Sequence, residues 1–600
     1  MSNNLEHHDE TGTTEDSHAH LRVPRPSRIH NWLTGGSEHY PADRDFALRL
    51  VAAAPWIEQS ALINQRHHTK GLIALAQMGI KQFLDIGCGY PAAMGRKRGR
   101  GHVPPLTYDA ARTVHPHARV VYVDNDPNAR GHMDATTKSG ARTALADARD
   151  IPGLLTSRPV IDTLTFTQPI GVILHDLLPW VSDDEATTLV QSLHELLPAG
   201  SAVSITHTTP DHDPDATAAI VALYATIGVD YRPRTLDQIR DLLGPWELTA
   251  RGIAPIGLWR QGEDPQIPKK LRTGWRLPPS DSHAYAAVTA PKKNGPAPLT
   301  VEAVLAREPG PRAPVPLLLG SYLRGLREVM GVTREELAGK IDSTALAIEA
   351  SEAGSGNLRD YDCAHVCRGL GLDDWPTGQF TDGPFSPAPR HRERQSFLDQ
   401  AAGHTDRAAA VLRASTHVRT FAFDRIPQPF RTNAYDSCFP ADTEPSPLPS
   451  IPAPLAKDPG RTWELVIDEG VLNRCGGHPK QMADQLDHLL DLAALPHITI
   501  RVLPAGAPLA TPLRTVTEYT LLGGTLWRDE PGVYSGLQKG TTLKEALDQA
   551  VTHAEPEDTS RALITHARDL HRQAAIELGR AEGDPEECPG QEALDIADRR

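Results

Sequence analysis

The run Phe83-Leu84-Asp85-Ile86-Gly87-Cys88-Gly89-Tyr90-Pro91 holds the first residues that could do chemistry. An apolar stretch ends in an acid, and a G-x-G turn follows at once. A buried strand reads this way when it delivers a backbone loop to a ligand. Glycine at both positions lets the backbone come close to what it cradles. Three more groups fall at matching places. Asp124 closes the run Val120-Val121-Tyr122-Val123-Asp124, Asp147 closes Thr143-Ala144-Leu145-Ala146-Asp147, and His175 closes Pro169-Ile170-Gly171-Val172-Ile173-Leu174-His175. An acid at the end of the second strand suits a bidentate bond to two vicinal ribose hydroxyls. His175 stands where a base could take a proton from an incoming amine or hydroxyl. It could equally serve only as a hydrogen-bonding group at the sheet edge.

These residues need a scaffold that brings strand ends together. Strand-like runs near 81–86, 118–124, 143–147, 169–175 and 201–207 alternate with helical stretches, including the amphipathic Asp183 to Leu197. That alternation predicts a parallel sheet with helices on both faces, whose ligands sit at the carboxyl ends of the strands. A dinucleotide site wants a third glycine, G-x-G-x-x-G. Here Gly89 is followed by Tyr90-Pro91-Ala92. The cofactor expected is therefore a single adenosine with an amino-acid tail, S-adenosylmethionine. Upstream, a helix ends at Leu33-Thr34-Gly35-Gly36. It reads as packed decoration or as a lid hinged at the glycines, and Gly35 and Gly36 join the expected cofactor-binding set with Asp85, Gly87, Gly89, Asp124, Asn125 and Asp147. After Pro91 comes the basic, glycine-rich Gly95-Arg96-Lys97-Arg98-Gly99-Arg100-Gly101. The insertion at 95–105 reads as solvated chain or as a flap that attracts an anion.

Residues 23–292 resemble an S-adenosylmethionine-dependent methyltransferase family of unknown substrate common in actinomycetes. The resemblance is carried by Arg25-Pro26-Ser27, Leu33-Thr34-Gly35-Gly36, Ala42-Asp43-Arg44, the Phe83–Pro91 run, Val120 to Pro127, Ala146-Asp147-Ala148-Arg149-Asp150, Leu174-His175 before Val181-Ser182-Asp183-Asp184, and Ile256-Gly257-Leu258-Trp259-Arg260. It implies a Rossmann-like class I fold with a mostly parallel seven-stranded sheet. It also implies that Gly87 and Gly89 approach the methionine part, Asp124 the ribose and Asp147 the adenine amino group. The acceptor expected is a small molecule. The departures are the basic insertion and Asn64-Gln65, where the family tends to have Asn-Arg.

The rest of the 600-residue chain implies further domains. Residues 1–22 read as a disordered polar tail, and 293–315 as a proline-rich linker. Residues 316–374 resemble an Xre-type helix-turn-helix, through Leu319-Gly320, Leu326-Arg327-Glu328, Val332-Thr333-Arg334-Glu335-Glu336-Leu337-Ala338, Ile348 and Glu352-Ala353-Gly354. Thr333, Arg334 and Thr344 are its candidate DNA contacts, and the resemblance suggests a homodimer. Yet the recognition helix, Thr344 to Ser351, carries no basic side chain, and bases and phosphates need donors. The net charge of -15 argues the same way against general nucleic-acid or anionic-membrane binding. Residues 395–555 resemble the uncharacterised α+β domain that follows such units in actinomycete regulators. There Asp468 and Glu469, adjacent on a strand, face opposite sides and form no catalytic pair. Residues 556–600 read as a charged, partly helical tail with a loose end. Six scattered cysteines lack zinc spacing and fit a reduced cytoplasmic protein, no metal is expected, and no apolar run suggests a membrane span. The expectation is an enzyme fused to a regulator-like module. The alternative is a DNA-binding regulator that only senses S-adenosylmethionine.

Overall fold

A computed structural model describes residues 23–91, 104–258, 282–307, 313–355, 360–372, 396–399, 402–439, 448–474, 477–508, 514–529 and 532–582. The tail at 1–22, most of the basic insertion, Trp259-Arg260 and the end of the charged tail lie outside the described residues. The chain divides into two units, Met1–Arg307 with Asp342–Ala347, and Glu308–Ile341 with Ile348–Arg600.

The first unit is built on seven strands: β1 (Gln82–Ile86), β2 (Arg119–Asp124), β3 (Ala141–Leu145), β4 (Ile170–His175), β5 (Ala202–Thr208), β6 (Ala254–Pro255) and β7 (Ala284–Val288). Their spatial order is β3-β2-β1-β4-β5-β7-β6. The first five run parallel. β7 runs against β5, and β6 against β7. The sheet is therefore mixed: it is the mostly parallel seven-stranded sheet that the resemblance implies, and β6 and β7 depart only from a purely parallel one. The last two strands add as an antiparallel ribbon rather than through crossover helices. β1 and β5 are buried along their whole length, as strands covered on both faces must be. The strand order reverses at β1, with β2 on one side and β4 on the other, so the carboxyl end of β1 opens a crevice there.

Three helices precede the sheet: α1 (Pro26–Leu33), α2 (Pro41–Ala53) and α3 (Ile57–Gln77). The break between α2 and α3 falls at Pro55, which cannot continue a helix. Leu72, Ile73, Leu75 and Ala76 of α3 are buried. Two short helices complete the cofactor side, α4 (Thr107–Arg112) after β1 and α5 (Pro127–Asp134) after β2.

The helices Pro314–Val329, Arg334–Lys340, Ala345–Glu352 and Asp360–Gly369, which belong to the second unit except for Ala345–Ala347, precede a second seven-stranded mixed sheet. The helical segment and the sheet are not separately cored. Leu319, Leu323 and Leu326 share one hydrophobic cluster with Leu412, Val418 and Leu465. Thr462–Asp468 is a strand, but Glu469 already opens a short helix, with Asp468 as its cap. The two acids thus part by a change of element rather than by facing opposite sides of a strand. The stretch read as the start of a charged tail contains the helix Glu557–Glu582, with Ile564 and Ala567 buried in the same cluster. Among the described residues no single helix is long and apolar enough to cross a membrane.

Candidate active site

The G-x-G turn hooks onto the end of β2. The Gly87 and Cys88 N–H groups donate to the Val123 carbonyl at 2.8 and 3.1 Å, and the Gly89 N–H donates to Asp124 Oδ2 at 2.8 Å. Both glycines have left-handed backbone, φ +75° and +63°. A Cβ at Gly87 would also come within 2.9 Å of the end of the Leu177 side chain, but it is the backbone conformation that calls for glycine there. Asp124 Oδ1 accepts the Asp126 N–H at 2.9 Å. Asp126 in turn caps α5 through the Asn128 N–H and accepts the Ser27 hydroxyl of α1 at 2.7 Å. One carboxylate therefore fixes the turn, and the next ties the helix above it to β2.

These groups line a cavity of about 230 Å³. Of the residues singled out by sequence, Asp85, Gly87, Gly89, Asp124 and His175 face it. Gly35, Gly36, Asn125 and Asp147 are not among its lining residues. β3 ends at Leu145, two residues short of Asp147, whose carboxylate takes the Arg149 guanidinium at the surface. That contact holds the Asp147 carboxyl below its ordinary range. Gly36 packs against Asn31 and serves the turn after α1.

Reading by strand ends missed a run of polar side chains across the cavity wall. Thr107 donates to Asp85 Oδ2 at 2.5 Å. His68 Nε2 lies 2.7 Å from Thr107 Oγ1, His68 Nδ1 lies 3.1 Å from His175 Nδ1, and His175 Nε2 lies 2.8 Å from Ser204 Oγ. With both rings neutral, one assignment of the protons satisfies every contact. Thr107 spends its one proton on Asp85 and accepts from His68 Nε2–H. His68 Nδ1 then accepts from His175 Nδ1–H, and His175 Nε2 accepts from Ser204. Burial, with His68 and His67 beside it, pushes His175 well below the usual histidine range, so its ring is neutral. Both His175 nitrogens are engaged, which favours a role in holding the wall over one as the acceptor's base. His67-His68 carried the only sequence signal, two imidazoles on α3.

Two further features show that the cavity suits a polar ligand. Among the described residues Asn64 Oδ1, buried on the lining, has no hydrogen-bond partner, a deficit of about 1–3 kcal/mol that a ligand donor would remove. The Asp124 carboxyl is raised by burial, although its two N–H partners oppose the shift.

Comparison with known proteins adds the chemistry. Residues 12–290 match the family model described as S-adenosyl methyltransferase. The N-terminal unit is an S-adenosylmethionine-dependent methyltransferase. Residues 452–566, beyond the methyltransferase unit, match a model described as a domain of unknown function. No curated protein matches the chain. Among solved structures, a DUF574-family protein from Streptomyces avermitilis is 26% identical, with 45% of this chain and 98% of that one covered and a TM-score of 0.39. A candidate methyltransferase from Thermobifida fusca is also 26% identical, with 47% and 100% covered and a TM-score of 0.40. The cavity fits the cofactor of the methyltransferase by three observations: the glycine turn leaves room for its backbone approach, the orphaned Asn64 oxygen awaits a donor, and the lining carboxylates suit a cation.

Proposed function

We propose that the methyltransferase unit binds S-adenosylmethionine against Gly87, Gly89 and Asp124 and passes its methyl group to a small-molecule acceptor. The observation that carries this is the G-x-G turn pinned to Asp124 at the mouth of the cavity between β1 and β2. The cofactor supplies a methyl group already activated by a positive sulfur, so placement of the acceptor provides most of the rate. The chain's own residues do the placing. Asp124 fixes the cradle, Asp85 and Thr107 form its floor, and α1 with its C-cap Thr34 covers it through Ser27, His30 and Asn31. His30 is held neutral, pushed down by burial to about 4, so α1 adds no cation to the site. Calorimetric titration of the full chain with S-adenosylhomocysteine should show one site per chain in the micromolar range. No heat at millimolar ligand would sink this reading.

The helices at 314–369 are proposed to keep the helix-turn-helix arrangement without strong affinity for DNA. Two of the candidate contacts already have partners within the protein. Arg334 binds Glu349 at 2.7 Å and Glu352 at 2.9 Å, and Thr333 closes a capping box with Glu336. Thr344 is buried. A mobility-shift assay at moderate salt, with duplex from the region upstream of the chain's own gene, should show no shift. A sequence-specific shift would overturn this and favour a cofactor-sensing regulator.

A further inference from the structure

Asp176 follows β4 directly and lines the cavity beside Leu177 and Trp180. Its backbone is left-handed, with φ +54°, a conformation shared by only two other non-glycine residues among those described. Such a conformation persists where the surroundings impose it, and it clusters at functional sites. Thr208 of β5 donates to Asp176 Oδ1 at 2.9 Å. The phenols of Tyr224 and Tyr231 stand close enough for its charge to act on them. Burial lifts the Asp176 carboxyl to about 6, against the pull of Thr208.

The charge balance of the cavity narrows the acceptor. Its described lining holds three carboxylates, Asp85, Asp124 and Asp176, and no lysine or arginine. Asp85 is held by Thr107, and Asp124 by two backbone N–H groups. Among the described residues, an anionic acceptor would meet three carboxylates and no cationic side chain. A neutral or cationic one is welcomed, and Trp180 is among the lining residues.

We propose that Asp176 receives the proton of the methyl acceptor, and that this acceptor is an amine. The assignment rests on the methyltransferase reading of the same cavity. An ammonium arrives paired with the Asp176 carboxylate. A proton leaves nitrogen for a carboxylate oxygen, and the electron pair left on nitrogen forms the new N–C bond. The C–S bond that breaks leaves its pair on a neutral thioether. A carboxylate takes a proton from an ammonium far more readily than from an alkyl hydroxyl, whose O–H is a much weaker acid than the ammonium N–H.

The test needs no acceptor. Sinefungin carries a protonated amine at the position of the transferable methyl, and S-adenosylhomocysteine carries nothing there. Both are titrated into the full chain and into Asp176→Asn and Asp176→Gly. Asparagine tolerates left-handed backbone and glycine adopts it freely, so the turn survives in both. The wild-type chain should prefer sinefungin, and each variant should lose about tenfold of that preference, the order expected for one charge-assisted hydrogen bond. Affinity for S-adenosylhomocysteine should change by less than about twofold, since that ligand lacks the amine. An unchanged preference in both variants overturns the assignment of Asp176. Failure of S-adenosylhomocysteine to bind the wild-type chain overturns instead the reading beneath it.

Discussion

Asp124→Ala should weaken binding of S-adenosylhomocysteine by at least about tenfold, measured by calorimetry on the full chain. The side chain is 8% exposed and spends its two oxygens on different parts of the cradle. Oδ2 holds the Gly89 N–H and Oδ1 holds the Asp126 N–H. Removing it does three things at once. The ligand loses a charged acceptor. The left-handed Gly89 loses the bond that fixes it. Asp126, itself buried, loses the N–H partner that sets it up to cap α5 and to receive Ser27. The two orphaned N–H groups should lower stability by about 1–3 kcal/mol, so binding is measured well below the melting temperature. Asp124→Asn separates the contributions. It keeps one carbonyl oxygen but sets an NH₂ against one backbone N–H, so the cradle is half kept while the charge is lost. If Asp124→Ala still binds within about twofold of wild type, the acid at the end of β2 is a fold element only and the cofactor lies elsewhere in the cavity.

What the sequence disclosed follows from how local each signal is. The turn at Gly87 and Gly89 was legible because a buried strand, an acid and two glycines are consecutive. Asp124 was legible because β2 ends on it. Asp147 was placed by the same logic, but its strand stops at Leu145, and pairing with Arg149 is decided by a turn whose geometry no pattern displays. His68 and His175 lie 107 positions apart and meet only because α3 packs across β4 and β5. Asp176 was passed over for a different reason, since a left-handed φ on an aspartate leaves no mark in composition or spacing. In the second unit the apolar faces of the helices were readable, but not their partners, so two regions were drawn where one cluster spans both. The strand Gly524–Asp529 was also missed, although Leu521 pairs with Gly524 across a tight turn at Leu522-Gly523. A glycine pair after an alternating run is the hairpin signal that could have found it.

Asp43→Ala should destabilise the methyltransferase unit by about 3–5 kcal/mol and lower its melting temperature by on the order of 10 °C. Asp43 and Arg28 are 0% and 1% exposed and form an ion pair at 2.9 Å. The same carboxylate accepts the Arg25 N–H at 3.0 Å and the Tyr40 N–H at 2.8 Å, so it caps α2 and anchors the entry to α1 together. Arg28 also donates to the Val23 carbonyl and lies over the Tyr40 ring. Without Asp43, a guanidinium stays buried with its main countercharge gone, and such a charge costs more than the pair contributes. The double variant Arg28→Met with Asp43→Leu should therefore recover part of the loss, because no uncompensated charge remains. It should not recover all of it, since two N–H groups still lack their acceptor. If the double variant is no more stable than Asp43→Ala, capping rather than charge sets the cost. The consequence for binding differs from that of Asp124→Ala. Here the cradle bonds between β1 and β2 are intact, and what loosens is α1 with its C-cap Thr34, which carries Ser27, His30 and Asn31 on the cavity wall. S-adenosylhomocysteine should accordingly raise the melting temperature of Asp43→Ala less than that of wild type at equal ligand, because part of its binding energy goes into ordering α1 again.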